Sequence, residues 1–203
     1  MMESVLQQSV STYLSRLTGE TLTPDSPLRL RSVQRAALSS WARQQKVSLR
    51  FALISSSMPF TVRELLLPAD GDAGQVVVMP TPQQVIDTPV LKGIPANRVG
   101  VDIEEVDSLP VAFDYREHAF YQDNFTAAEI SYCIRQRSVR ASLCGLWAAK
   151  EAIVKAGIAT APQGHLKGIE ISHDDDGRPV FAGSSLSISH SARSAVAVCN
   201  SYG

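Results

Sequence analysis

Three stretches of this chain put charged or nucleophilic side chains at spacings that could do chemistry. Leu146-Trp147-Ala148-Ala149-Lys150-Glu151-Ala152-Ile153-Val154-Lys155 sets two lysines and a carboxylate into an apolar run. Glu151 and Lys155 are four residues apart, so on a helix they are neighbours, with the acid N-terminal to the base and Trp147 one turn before Glu151. Taken alone, that pair reads as an exposed salt bridge. Arg98-Val99-Gly100-Val101-Asp102-Ile103-Glu104-Glu105-Val106 alternates. As a strand it places Val99, Val101 and Ile103 on one face and Gly100, Asp102 and Glu104 on the other. Two adjacent carboxylates beside a glycine are either a solvated strand face or the oxygen ligands that Mg2+ takes while keeping positions for water and phosphate. Leu186-Ser187-Ile188-Ser189-His190-Ser191 carries a histidine whose plain reading is a hydrogen-bonded residue in a β-turn. Asp174-Asp175-Asp176 could mimic a metal site, but the following Gly177-Arg178-Pro179 makes it a hairpin turn.

These residues need elements to hold them. Leu143, Leu146, Trp147 and Val154 trace one apolar stripe, predicting a helix from about Val139 to Ala156 that ends at Gly157. Thr126 with Glu129 three residues later forms a capping box and opens an earlier helix. Gly168 to Ser172 reads as a strand, Val180-Phe181 as a short one, and residues 186–191 with Ala195-Val196-Ala197-Val198-Cys199 as a terminal hairpin. The order strand, two helices, three strands over residues 98–203 predicts a compact α+β domain. Residues 1–68 are different. Leu6, Val10, Tyr13, Leu14 and Leu17 predict an amphipathic helix. Ser32 is placed to cap a second helix with Val33, Ala36, Ala37, Ser40 and Trp41 on one face, residues 51–57 fit a short third helix, and Pro59 to Leu67 a last one with Thr61 near its start. This is a small all-α bundle. Residues 69–97 form the connection: Ala69 to Gly74 is small and polar, Gln75 to Met79 fits a short strand, and Pro80, Pro82, Pro89 and Pro95 keep the remainder irregular.

Composition narrows the class. The chain has 203 residues, 44% hydrophobic and 19% charged, enough for a substantial core. A formal net charge of −1 without a long basic run argues against nucleic acid as a partner. No apolar stretch is long enough to span a membrane, and Met1-Met2-Glu3-Ser4-Val5 lacks the pattern of an export signal. Cys133, Cys144 and Cys199 are too few and too scattered for a disulfide framework or a zinc site, so a cytoplasmic location is expected.

Two family resemblances organise these observations. The bundle resembles an acyl carrier protein in its long first helix, loop, serine at the start of the second helix and short terminal helix. In that family the serine that carries phosphopantetheine follows an aspartate, within Gly-x-Asp-Ser-Leu. Here the run is Leu30-Arg31-Ser32-Val33, and Arg29, Arg31, Arg35 and Arg43 make the second helix basic where that family's is acidic. Ser32 therefore reads as a helix cap, with self-modification as the alternative, and the basic helix as a surface that could steer an acidic carrier protein.

The remainder resembles the 4′-phosphopantetheinyl transferases through Gly-Val-Asp-Ile-Glu at 100–104, Phe-Thr-x-x-Glu at 125–129, Trp-Ala-Ala-Lys-Glu-Ala-x-x-Lys at 147–155, Gly-Arg-Pro at 177–179 and Ser-Ile-Ser-His at 187–190. That resemblance implies transfer of the 4′-phosphopantetheine arm of coenzyme A to a carrier-protein serine, with release of adenosine 3′,5′-bisphosphate. It implies Mg2+ on Asp102 and Glu151 with Glu104 as a third ligand, Glu151 or a water it orients as the base, and Lys155 at the leaving phosphate. Lys150 is expected to touch coenzyme A phosphates, and Ser189 and His190 the 3′-phosphate. The position of Ser-Ile-Ser-His is similar to that in the short holo-acyl carrier protein synthase branch, which implies a homotrimer. A different class of function is an inactive carrier/transferase-like scaffold of a fatty acid or polyketide synthase system. The intact set of Asp102, Glu151 and Lys155 favours the enzyme.

Overall fold

The computed structural model describes residues 2–50, 53–54, 59–66, 98–161 and 165–202. The connection expected over 69–97, with its strand at Gln75 to Met79, lies outside the described residues. Of the helix expected over 51–57, only Leu53 and Ile54 are described, and both are helical.

The N-terminal segment contains α1 (Met2–Thr18), α2 (Ser32–Gln44) and α3 (Val62–Leu66). Val10 and Leu14 on the expected stripe of α1 are completely buried. At the start of α3, Thr61 Oγ1 accepts the Glu64 N–H at 3.2 Å while Glu64 Oε2 accepts the Thr61 N–H at 2.8 Å, a reciprocal cap. The expected cap of α2 needs correction. Arg31 is the N-cap residue, its N–H donating to Gln34 Oε1 at 2.9 Å, and Ser32 is the first helical residue. α2 is also buried on two sides. Val33, Ala36 and Ala37 pack into the core of the C-terminal segment, whereas Leu38 and Ala42 pack into the core of the bundle. One helix thus serves both cores.

The C-terminal segment runs β1 (Val99–Glu105), a 3-10 turn at Val106–Ser108, α4 (Ala119–Asn124), α5 (Ala127–Ile134), α6 (Val139–Lys155), β2 (Ser172–His173), β3 (Pro179–Val180), β4 (Ser184–His190) and β5 (Ser194–Ser201). Mixed helix and sheet, as expected, it forms an antiparallel sheet in the order β1-β5-β4, with α6 packed against all three strands, and a separate β2-β3 hairpin. The strand expected over 168–172 shrinks to Ser172–His173, although Ile169 and Ile171 are still buried.

The alternation of β1 holds, but the faces are used in the opposite sense from an ordinary amphipathic strand. Val99, Val101 and Ile103 are 60%, 50% and 70% exposed, while Gly100, Asp102 and Glu104 face inward. Gly100 explains how. A Cβ there would stand 1.9 Å from the Ala152 carbonyl oxygen, so only glycine lets the backbones of β1 and α6 approach this closely. α6 is therefore pressed against the carboxylate face of the strand. It ends as expected at Gly157 (φ 68°), with the Gly157 N–H on Val154 O at 2.9 Å and the Ile158 N–H on Ile153 O at 3.2 Å.

Candidate active site

Close contact between β1 and α6 brings together four residues from two distant stretches of sequence. Lys155 Nζ donates to Asp102 Oδ1 at 2.6 Å, so the lysine pairs across to the strand. The lysine side chain is 51% exposed, and the aspartate is buried. Asp102 Oδ2 is buried as well and has no hydrogen-bond partner. An unpaired carboxylate oxygen away from water is costly, and it marks a position that a cation or a donor would fill favourably.

Glu151, one turn before Lys155, lies beside this pair. Burial, together with the neighbouring charges of Asp102 and Glu104, pushes its carboxyl up to about 7, against the smaller opposing pull of Lys155 and Arg35. Desolvation and like charge act in the same direction, which is the environment of a group poised to gain or lose a proton near neutrality. Glu104, two residues along β1 from Asp102, has its carboxyl raised chiefly by burial. Its Oε1 accepts the hydroxyl of Ser32 at 2.7 Å, and Ser108 Oγ approaches Oε2 at 3.4 Å. Ser32 thus enters the site from the other segment.

The basic helix also finds its partners within the chain. Arg31 meets Glu105 at 3.0 Å, Arg43 pairs with Asp123, and Arg35 is close enough to Glu151 to favour its ionised form. Much of the positive face of α2 is directed at the acidic side of the C-terminal segment.

Among the described residues, no three or more His, Cys, Asp or Glu side chains converge on one metal position. Mg2+ is commonly held by one or two carboxylates, with substrate phosphates and water completing its octahedron. The unpartnered Asp102 Oδ2 beside Glu151 supplies such a pair, so the donor chemistry fits that ion. Glu104 is engaged with Ser32 instead.

Lys150 requires a correction. Its side chain is 0% exposed, and Nζ donates to Glu129 Oε2 at 2.7 Å, to Asn124 O at 2.8 Å and to Leu166 O at 3.3 Å. All three ammonium protons are satisfied inside the protein, and none is left to reach a coenzyme A phosphate. Glu129 is equally saturated, taking the Thr126 N–H at 2.8 Å and the Ile171 N–H at 2.9 Å. The periodicity contained this information: Lys150 follows Leu143, Leu146 and Trp147 by seven, four and three residues, on the buried stripe.

Ser189 and His190 are adjacent on β4, so the pleat sends their side chains to opposite faces. Register shows which. Ser189 stands opposite Val196, itself opposite Ile103, on the outer face; His190 stands opposite Ala195, itself opposite Glu104, on the inner face. His190 borders a hollow lined by Tyr132, Leu146, His173 and Ile188. Two strand spacings, about 10 Å, separate its backbone from that of Glu104.

Residues 98–200 match the profile of the 4′-phosphopantetheinyl transferase superfamily, and the chain belongs to that family. A holo-[acyl-carrier-protein] synthase of Chlorobaculum tepidum is 40% identical over 111 residues, which cover 49% of this chain and 93% of that protein. The fatty acid synthase subunit alpha of Lachancea kluyveri is 44% identical over 84 residues, which cover 40% of this chain and only 4% of that subunit. Among solved structures, a holo-(acyl-carrier-protein) synthase from Bacillus anthracis in complex with CoA (3′,5′-ADP) aligns with 52% of this chain and 96% of that one, at 25% identity and a TM-score of 0.42.

Proposed function

We propose that this chain transfers the 4′-phosphopantetheine arm of coenzyme A to a serine hydroxyl of an acyl carrier protein, releasing adenosine 3′,5′-bisphosphate. The observation that carries this reading is the meeting of Asp102, Glu151 and Lys155 at the β1–α6 contact, with one buried Asp102 oxygen left without a partner. Match to a holo-[acyl-carrier-protein] synthase over 93% of its length supports the same substrate class. Asp102 and Glu151 would hold Mg2+. When bound, that ion neutralises charge developing on the pyrophosphate. Glu151, or a water that it orients, accepts the proton of the attacking hydroxyl. Lys155, half exposed at the end of its helix, is placed to swing from Asp102 to the leaving phosphate.

Three structural features support finer statements. The outward apolar residues Val99, Val101, Ile103 and Val198 lie side by side across β1 and β5, a surface that a further copy would cover; it supports association between copies, and the homotrimer is the assembly that the family resemblance implies. The N-terminal helices, in the order long, capped and short, support a carrier-protein-like bundle. Three free, buried cysteines are compatible with action in the cytoplasm.

Incubation with coenzyme A, Mg2+ and a panel of purified acyl carrier proteins, read by intact mass, tests the activity. Asp102→Ala and Glu151→Ala should each lower transfer by about 10²–10⁴-fold while the circular dichroism spectrum is unchanged. Transfer at the wild-type rate by either variant would overturn the assignment of the site.

A further inference from the structure

The site described above already holds a hydroxyl group. Ser32 Oγ donates to Glu104 Oε1 at 2.7 Å from a helix on the far side of the 69–97 connection, and Glu104 belongs to the strand that carries Asp102. Of the serines on α2, Ser39 is tied to its own helix through Arg35 O at 2.9 Å and Ser40 is buried without a partner, so Ser32 is the one that crosses over.

The rest of α2 locks it in this place. Gln34 fixes the start of the helix by accepting the Arg31 N–H at 2.9 Å, Arg31 and Arg43 meet Glu105 and Asp123, and Val33, Ala36 and Ala37 are buried in the core around α4 and α6. Val33 is completely buried there, so the docking of this helix is a built contact. Its consequence is a seryl hydroxyl held beside the carboxylates of a phosphoryl-transfer site.

We propose that Ser32 is an acceptor, and that this chain attaches the phosphopantetheine arm of coenzyme A to itself. The inference rests on the transferase reading above and names a substrate for that site. In the step, Ser32 Oγ bonds to the phosphorus that bears the pantetheine arm, the phosphoanhydride P–O bond breaks, and adenosine 3′,5′-bisphosphate leaves with the electron pair. The hydroxyl proton departs along its existing hydrogen bond to the Glu104 carboxylate. Arg31 does not obstruct this, because its guanidinium is drawn aside to Glu105.

The test uses the full-length protein, coenzyme A and Mg2+, with intact mass and peptide mapping as the readout. The expected result is a gain of one phosphopantetheinyl group per chain, located on the peptide containing Ser32 and absent from a Ser32→Ala variant whose thermal melt matches the wild type. A parallel reaction includes a separately purified acyl carrier protein. If the carrier gains the arm and the chain does not, self-modification is overturned while the transferase reading stands. If neither gains it, the transferase reading itself fails. A mass gain that persists in Ser32→Ala overturns Ser32 as the acceptor.

Discussion

Lys150 and Glu151 are consecutive residues on one helix, yet they live in opposite electrostatic worlds. Lys150 points into the core, where its three protons meet Glu129, Asn124 O and Leu166 O. Glu151 points toward β1, where burial and two further carboxylates oppose its charge. Burial works against the charge of both side chains, and the difference lies in satisfaction. In the first, charges and hydrogen bonds close on themselves, so nothing is left over for a ligand. In the second, Asp102 retains a buried oxygen without a partner and Glu151 is held near neutrality. A saturated buried pair fixes structure, and an unsaturated cluster is primed for a cation or a proton. Burial of charge alone does not distinguish the two roles.

The sharpest way to break this contrast is Lys150→Met. It strands the Glu129 carboxylate in the core, and loss of one partner of a buried ion pair costs about 3–5 kcal/mol. Urea denaturation should show this loss, and adding Glu129→Gln should recover part of it by removing the stranded charge. A Lys150→Met protein as stable as wild type would mean that the pair is not the structural anchor its geometry implies.

Glu151 offers a comparable effect with the opposite sign. Its folded-state carboxyl is raised from 4.5 to about 7, so in metal-free protein its contribution to stability is fully present below about pH 4.5 and is lost as pH rises through about 7. At about 1.4 kcal/mol per pH unit, the loss over that window is roughly 3 kcal/mol. Glu151→Gln removes the titration, so the variant should be the more stable protein at pH 8 and should lack this part of the pH dependence. Saturating Mg2+ should restore stability to the wild type at pH 8 and do little for the variant. Parallel stability-against-pH curves for the two proteins would contradict the crowded-carboxylate site.

Much of this arrangement was legible in the sequence. The alternation at 99–105 located Asp102 and Glu104 on one face, the stripe at 143–154 gave the helix, and Thr126 with Glu129 gave the cap of α5. What periodicity does not encode is which face of a strand another element will cover. β1 exposes its valines and isoleucine because a close approach at Gly100 draws α6 onto the carboxylate side. Lys150 shares the spacing of Leu143 and Trp147, but its residue type alone points to a ligand or to solvent and not to the core. Its partner, Glu129, reads in the sequence as a capping group, and only the fold shows it filling both roles. The contact of Ser32 with Glu104 joins positions 72 apart across a connection that carries no pattern of its own, so local sequence could not supply it.

The smallest effect on stability is expected for the same substitution five residues along the helix. Lys155→Met removes the partner of Asp102, just as Lys150→Met removes the partner of Glu129. Lys155 is half exposed, however, and the place vacated by its ammonium is open to water, so the cost should be about 1 kcal/mol, within the range of exposed pairs. Transfer, by contrast, should fall steeply, because the proposed role of this lysine is to meet the leaving phosphate. Two identical substitutions would then separate cleanly: at 150 the denaturation midpoint moves and any remaining folded protein keeps its activity, while at 155 activity is lost from a protein that melts almost as before. If Lys155→Met were as destabilising as Lys150→Met, the Asp102 pair would be structural too, and the distinction between a closed and an open charge cluster on this helix would fail.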